Sequence, residues 1–180
     1  MTEILLARHG ETDWNRDRRV QGQTDRPLND RGRAQAAELA RSLSEEHLDA
    51  VYASDLLRAL DTARAVAEPL GLEVVALPAL RERDFGTWEG LTDAEILARY
   101  PHARTQPWGD AETREELADR VLAALAEITS RHPEGRVLVV THGGPIRAVL
   151  RSCSAGSDEA IVNCHVARLA AEGGTLARIH

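Results

Sequence analysis

The 180-residue sequence contains no lysine, and all 22 of its basic residues are arginine. Without a lysine amine, the chain cannot form a lysine Schiff base with a carbonyl substrate. It also cannot build the phosphate-binding loop of Walker-type nucleotide-binding proteins, which needs a lysine to reach the phosphates. These two kinds of chemistry are therefore excluded by composition, whatever the origin of the arginine bias.

Other features are scarce or missing as well. The two cysteines, Cys153 and Cys164, have no metal-ligand spacing and form no disulfide framework. No apolar run is long enough to cross a bilayer, and the basic-then-apolar pattern of a signal peptide is missing. The formal net charge of -7 disfavours nucleic acid or an anionic membrane as the main partner. We therefore expect a cytoplasmic protein that binds neither nucleic acid nor membrane.

The length predicts a single domain over residues 1–180 with a sizeable core. Short apolar runs, which predict buried strands, alternate with longer amphipathic segments that predict helices. This alternation is typical of a three-layer α/β/α sandwich with a mostly parallel central sheet. The predicted strands are EILLA (3–7), DAVYA (49–53), LEVVA (72–76) and RVLVV (136–140).

Capping residues mark the predicted helix starts. The capping boxes TDAE and TREE predict helices that begin at Thr92 and Thr113, and a further helix follows His142. The segments AIVNCHVARLA (160–170) and LARIH (176–180), joined by EGG, predict a β-hairpin. The other predicted helices span 30–43, opened by Asn29 or Asp30, and 55–70, with Ser54 as the N-cap.

Two of the predicted strands end in the same way. The first is followed by Arg8-His9-Gly10, and the strand 136–140 is followed by Thr141-His142-Gly143-Gly144. Ligands of open α/β sheets bind outside the carboxyl ends of the strands, so neighbouring strands would direct both imidazoles at one pocket. Glycine after each histidine lets the backbone approach a ligand closely, and N–H groups such as that of Gly143 can bind an anion.

A third segment, YASDLLRALDTA, places Arg58 near the amino end of a predicted helix, which favours anions. Arg8 and Arg58 would then set two planar guanidiniums beside two histidines, and such groups suit the oxygens of a phosphoryl group. The alternative for Arg58 is an ion pair with Asp55 or Asp61 on its own helix.

Zinc is the main alternative ligand of paired histidines. The sequence has no His-x-His, no His-Glu-x-x-His and no carboxylate cluster beside either histidine, and nearby arginines would repel a cation. We therefore expect no metal at this site.

Five blocks in this order resemble the histidine phosphatase superfamily, also called the phosphoglycerate mutase-like family. They are LLARHGETDWN, RVQGQTDRPLNDRGRAQAAELA, VYASDLLRALDTA, LRERDFGTWEG and VVTHGGPIRAVL. The resemblance implies the phosphoglycerate mutase-like fold, with His9 as the nucleophile and Glu82 as the proton donor. It also implies an oxyanion clamp of Arg8, Arg58 and His142, and a pocket lined or supported by Asn15, Gln21 and Gly22.

The resemblance to the phosphatase branch implies a phosphomonoesterase that forms phosphohistidine on His9 and hydrolyses a small-molecule phosphomonoester without a cofactor. Asp84 is the alternative acid to Glu82. The alternative functions are a cofactor-dependent phosphoglycerate mutase and a non-enzymatic relative that binds a phosphorylated ligand. The shortness of the chain and the block THGGPIRAVL favour the phosphatase over the mutase.

Residues 83–112 are expected to form a small lid that selects the substrate. The family's usual Gly-Glu-Ser is replaced by Ala111-Glu112-Thr113, which leaves the role of Glu112 open. Arg16, Arg18 and Arg19 either form a solvated basic loop or flank the pocket mouth. A homodimer is also left open.

Overall fold

A computed structural model describes residues 1–103, 105, 111–153 and 160–179. Within these residues, six strands and six α-helices follow one another along the chain. The strands are β1 (Thr2–Arg8), β2 (Ala50–Ala53), β3 (Val74–Ala76), β4 (Arg136–Thr141), β5 (Val166–Glu172) and β6 (Thr175–Ile179). The helices are α1 (Asp13–Arg16), α2 (Asp30–Ser42), α3 (Leu57–Ala67), α4 (Asp93–Arg99), α5 (Arg114–Arg131) and α6 (Gly143–Ser152).

The strands form one sheet in the order β3-β2-β4-β1-β5-β6. The pairs β2–β3, β2–β4 and β1–β4 are parallel, whereas β1–β5 and β5–β6 are antiparallel. The predicted mixed architecture with a mostly parallel sheet is therefore confirmed, and the antiparallel part is confined to the C-terminal edge.

Helices cover both faces of the sheet because successive strand side chains point to opposite sides. In β1, Ile4 and Leu6 pack into the core formed with α5 and α6. Leu5 and Ala7 pack into the core formed with α2 and α3. All four side chains are fully buried, so β1 is the centre of a three-layer sandwich.

The predicted helix starts are confirmed where a side chain caps the helix. Asn29 accepts a hydrogen bond from the Gly32 amide, and capping boxes are formed at Thr92 and Thr113. Ser54 is a wrong prediction, because the N-cap of α3 is Leu56, which makes no side-chain cap. The Ser54 hydroxyl instead accepts a hydrogen bond from the Leu56 amide at 3.3 Å, and the helix starts only after this turn.

The C-terminal hairpin of β5 and β6 is confirmed, but its first strand is shorter than predicted. Residues 160–165 lie outside the strand because they wrap around the end of β1. The Cys164 amide donates to the Arg8 carbonyl at 3.0 Å, with Cys164 at a φ of 57°. The Asn163 side chain donates to the His9 carbonyl at 2.9 Å. At residues 160–165, these contacts take the place of the hydrogen bonds that a β-strand would form.

The predicted lid segment contains a 3₁₀ turn at Gly86–Trp88 and helix α4. Trp88, Ile96 and Ala103 form a small apolar cluster apart from the two main cores. Trp88 packs inside this cluster and stacks on Tyr100, with ring centroids 6.3 Å apart. Residues 104 and 106–110, including Trp108, lie outside the described residues, and the lid role stays a prediction.

None of the helices among the described residues is both long and apolar enough to cross a membrane.

Candidate active site

The two predicted histidines meet at the carboxyl edge of the sheet. Strands β1 and β4 are parallel neighbours, with Arg8 opposite Thr141, and the His9 amide donates to the Thr141 carbonyl at 3.0 Å. Each strand therefore delivers its histidine at the same level. The imidazole centroids of His9 and His142 are 5.1 Å apart. The two imidazoles therefore lie close together, as the sequence predicted.

The hydrogen bonding of His9 determines which ring nitrogen can react. Its Nδ1 lies 2.6 Å from the Gly10 carbonyl oxygen. A carbonyl can only accept, so Nδ1 carries the proton and Nε2 keeps its lone pair. The side chain is buried, which holds the ring in this orientation. His9 is thus a neutral imidazole whose Nε2 could act as a nucleophile.

Arg58 lies in the first turn of α3 and is fully buried. Its Nε donates to Nδ1 of His142 at 3.2 Å, and its terminal nitrogens donate to the carbonyls of Gly22 and Thr24 at 2.7 and 2.9 Å. The alternative pairing with aspartates of its own helix region is wrong. Those aspartates pair with other arginines, Asp55 with Arg81 and Asp61 with Arg64.

Two buried N–H groups beside His9 lack an acceptor among the described residues. Because Nδ1 of His142 accepts from Arg58, its Nε2 must carry the proton. This Nε2 and the Nε of Arg8 are buried and have no hydrogen-bond partner among the described residues. An unsatisfied buried donor costs about 1–3 kcal/mol, so both groups favour a ligand that accepts hydrogen bonds.

Burial and the neighbouring guanidiniums keep both imidazoles uncharged. Burial, followed by the charges of Arg58 and Arg8, lowers the pKa of His9 well below its usual value. Burial, followed by Arg58, lowers the pKa of His142 in the same way. Burial also lowers the pKa of Arg58 to about 10, which leaves it a cation at neutral pH. The site therefore combines neutral imidazoles with positive guanidiniums.

A cavity of about 170 Å³ lies over these groups. The predicted residues Asn15, Gln21 and Gly22 line it, as does Arg19, whereas Gly143 begins α6 and is not among the lining residues. A contact of Gly143 with substrate therefore stays a prediction. The full lining comprises Arg8, His9, Asn15, Arg19, Val20, Gln21, Gly22, Arg58, Glu82 and Phe85.

The arginines of the basic loop were expected either to be solvated or to flank the pocket mouth, and the structure shows both situations. Arg19 lines the cavity, and its Nη1 donates to the Gly90 carbonyl and pairs with Glu95. Arg16 is exposed and pairs with Asp13 and Asp17. Only Arg19 is thus placed at the pocket mouth by these contacts.

Glu82 is the carboxylate of the cavity. Its Oε2 accepts from the Gly144 amide at 3.1 Å, and its Oε1 accepts from the Arg83 amide at 2.8 Å. The alternative acid, Asp84, accepts from the Gly86 amide at 2.7 Å and is not among the residues that line the cavity. The geometry therefore favours Glu82 as the acid.

Arg120 and Glu112 hold the backbone around Glu82. The Arg120 guanidinium donates to three carbonyls, those of Ala79, Arg81 and Glu82, at 2.8 to 2.9 Å. Glu112 accepts from Arg120 at 2.5 and 2.8 Å, and from the Asp84 amide at 3.1 Å. Glu112 was left open by the sequence. Arg120 was missed, because its spacing on α5 gives no sign of its distant carbonyl partners.

Glu89 was also missed, and it holds the loop that binds Arg58. Its carboxylate accepts from the backbone amides of Gln23 and Thr24, both at 2.9 Å. Gly22 has a φ of +52°, and a Cβ there would lie 1.9 Å from Oε1 of Glu89. The glycine is therefore required both for the turn and for the close approach of this carboxylate.

The described residues contain no group of three or more histidines, cysteines, aspartates or glutamates that could hold a metal ion.

Neutral imidazoles and guanidiniums directed at one small cavity are typical of a phosphoryl-transfer enzyme. Such an enzyme must align the nucleophile with the phosphoryl group and stabilise the negative charge of the transition state. The family model of the histidine phosphatase superfamily, branch 1, matches residues 4–176, and the chain belongs to this superfamily. The resemblance predicted from the five blocks is confirmed.

Named relatives and solved structures agree with this assignment. The chain is 42% identical over 178 residues to the metal-independent phosphoserine phosphatase of Arabidopsis thaliana, covering 92% of this chain and 75% of that protein. Bacillus stearothermophilus YhfR has a similar structure, with a TM-score of 0.92 and 31% identity over 99% of this chain and 95% of that chain. The mycobacterial glucosyl-3-phosphoglycerate phosphatase complexed with VO3 gives a TM-score of 0.87 and 32% identity, covering 98% and 96%. The chain is a phosphoric monoester hydrolase of this superfamily.

Proposed function

We propose that this enzyme hydrolyses small phosphate monoesters through a phosphohistidine on His9, with Glu82 as the general acid and base. Two buried donors carry the proposal, Arg8 Nε and His142 Nε2, which have no hydrogen-bond partner in the described part of the chain. They lie beside His9, whose Nε2 keeps the lone pair needed for attack. Phosphate oxygens accept hydrogen bonds strongly, so a bound phosphoryl group would satisfy both donors.

In the first step, the Nε2 lone pair of His9 forms a bond to phosphorus while the bond from phosphorus to the ester oxygen breaks. Glu82 donates its proton to the departing alkoxide. Arg58 supplies positive charge, and its N–H groups that are not bonded to His142, Gly22 or Thr24 remain for phosphate oxygens.

In the second step, the Glu82 carboxylate takes a proton from water, and the water oxygen attacks phosphorus. The bond between phosphorus and Nε2 of His9 breaks, which returns His9 to the neutral form and releases inorganic phosphate. The hydrogen bond from Nδ1 of His9 to the Gly10 carbonyl persists throughout and stabilises the charge that the imidazole carries in the intermediate.

Phosphoserine and glucosyl-3-phosphoglycerate, which the relatives' names specify, are the first candidates for the substrate. The fold does not choose between them. Action in the cytoplasm and the absence of a nucleic-acid partner remain predictions from the sequence.

Hydrolysis of para-nitrophenyl phosphate tests the proposed function. We expect turnover without added metal, the same rate after treatment with a chelator, and loss of turnover in His9→Ala. The exposed His47→Ala is the matched control and should keep its activity. Loss of activity in chelator would contradict the proposal. Transfer of phosphate to 3-phosphoglycerate would instead identify a mutase.

A further inference from the structure

A second and larger cleft lies directly beside the catalytic acid. Its volume is about 810 Å³, and it runs between α5 and α6. It shares Glu82 and Phe85 with the small cavity over His9, so the two spaces meet at these side chains. A cleft of this size is typical of a site for an organic ligand.

The cleft is rich in positive charge. Four arginines line it, and the acidic residues of its lining are Glu82 and Glu115. The side chains of Arg114, Arg147 and Arg151 form no ion pair or hydrogen bond with another described residue. Other arginines of α5 are paired, Arg120 with Glu112 and Arg131 with Glu127. Like charges along one cleft repel each other, and a bound anion would relieve this repulsion.

The position of Glu82 indicates which part of a substrate would enter the cleft. An acid that protonates the leaving oxygen must lie on the side of the alcohol part, away from the attacking His9. The cleft begins on this side and is also lined by Gly144, whose amide binds Glu82. Arg147 lies one turn into α6, with its Nη1 3.1 Å from the place that a Cβ on Gly143 would occupy.

We propose that this cleft binds a second anionic group, carried by the alcohol part of the substrate, through Arg147 and Arg114. The inference rests on the proposed function and narrows its substrate class to phosphomonoesters with an additional carboxylate or phosphate. The arginines of the cleft supply the charge. The carbon skeleton would lie on its apolar lining of Leu117, Ala118, Leu122 and Ala148.

Matched substrates test the inference on the wild-type enzyme. D-3-Phosphoglycerate and sn-glycerol 1-phosphate have the same configuration and differ only by a carboxylate in place of a hydroxymethyl group, and 6-phosphogluconate and sorbitol 6-phosphate form a longer pair. We expect kcat/KM to be about ten-fold higher for the acid of at least one pair, and this ratio to fall with rising salt. Glycerol 1,3-bisphosphate distinguishes a second phosphate from a carboxylate. Equal values for acid and neutral ester in both pairs, with no gain for the bisphosphate, would overturn the inference.

Variants assign the effect to the cleft. Arg147→Gln and Arg114→Gln, on different helices, should each lower the preference for the anionic substrate about ten-fold, mainly through KM. Arg147→Lys should keep most of the preference for the anionic substrate. Arg131→Gln, at the other end of α5, is the matched control and should leave the preference unchanged. A preference that survives in both glutamine variants would overturn the inference.

Para-nitrophenyl phosphate, measured in parallel, separates this inference from the proposed function. If the wild type hydrolyses it but shows no anion preference, only the second site is refuted. If the wild type does not hydrolyse it, the proposed function fails, and the inference fails with it.

Discussion

The side chain of Glu82 fits against Gly144 with no room for another atom. Its Oε2 accepts a hydrogen bond of 3.1 Å from the Gly144 amide, and a Cβ on Gly144 would lie 2.0 Å from its Oε1. Gly144 therefore sets the position of Glu82, the proposed catalytic acid, and also donates a hydrogen bond to it.

We predict that Gly144→Ala displaces the Glu82 carboxyl and lowers kcat for alkyl phosphates by roughly a hundred-fold, within the range expected for loss of general acid catalysis. Para-nitrophenyl phosphate has a good leaving group that needs less protonation, so the fall in kcat should be smaller with this substrate. Steady-state kinetics with both substrate types measures the difference.

Gly143→Ala is the adjacent control. A Cβ there would meet the end of the flexible Arg147 side chain at 3.1 Å, which can move. The fall in kcat for Gly143→Ala should therefore be clearly smaller than the fall for Gly144→Ala. Equal losses for the two variants would show that alanine damages the start of α6 rather than the placement of Glu82.

We predict that Glu112→Gln lowers kcat about ten-fold with little change in KM, because the charge that orients Arg120 is lost and the backbone of Glu82 is held less firmly. The loss should again be larger for alkyl than for para-nitrophenyl esters. Glu116→Gln removes a carboxylate that serves the Thr113 capping box at the surface, so it should affect unfolding temperature alone. A rise in KM without a fall in kcat for Glu112→Gln would refute the positioning role.

Much of this architecture follows from local patterns in the sequence. Thr92 and Thr113 cap their helices as predicted, because a capping box needs only residues three positions apart. The convergence of His9 and His142 was also predictable, since each follows an apolar run that must lie within the sheet.

The errors and omissions arise where distant segments decide the structure. Residues 160–165 have strand-like composition, but their hydrogen bonds go to the Arg8 and His9 backbone at the end of β1. Arg120 bonds to carbonyls 38 to 41 positions away, and Glu89 accepts from amides more than 60 positions away. No local pattern encodes such partners. The arginine cleft likewise depends on how α5 packs against α6.

We predict that the folded protein loses stability in mild acid because of its two buried imidazoles. The pKa values of His9 and His142 in the folded state lie well below the ordinary value of 6.5, which the unfolded chain retains. Below that pH, the unfolded chain therefore binds more protons. The stabilisation is fully present above pH 6.5 and is lost as the pH falls toward the folded-state values, by up to about 1.4 kcal/mol per pH unit for each histidine.

Urea unfolding between about pH 5 and 7 in phosphate-free buffer measures this slope. His9→Asn and His142→Asn should each reduce the slope, whereas the exposed His47→Asn should not. An unfolding free energy that is independent of pH across this range would contradict the neutral, buried state of the two rings.

The most direct test of the phosphohistidine mechanism is mass spectrometry of Glu82→Gln during turnover of para-nitrophenyl phosphate. The good leaving group allows the first step without an acid, but hydrolysis of the intermediate needs the base, so the phosphorylated enzyme should accumulate. We predict one added phosphoryl group on the peptide that contains His9, stable in alkali and lost in acid. Turnover without any covalent phosphoryl group, or a phosphoryl group on another residue, would contradict the mechanism.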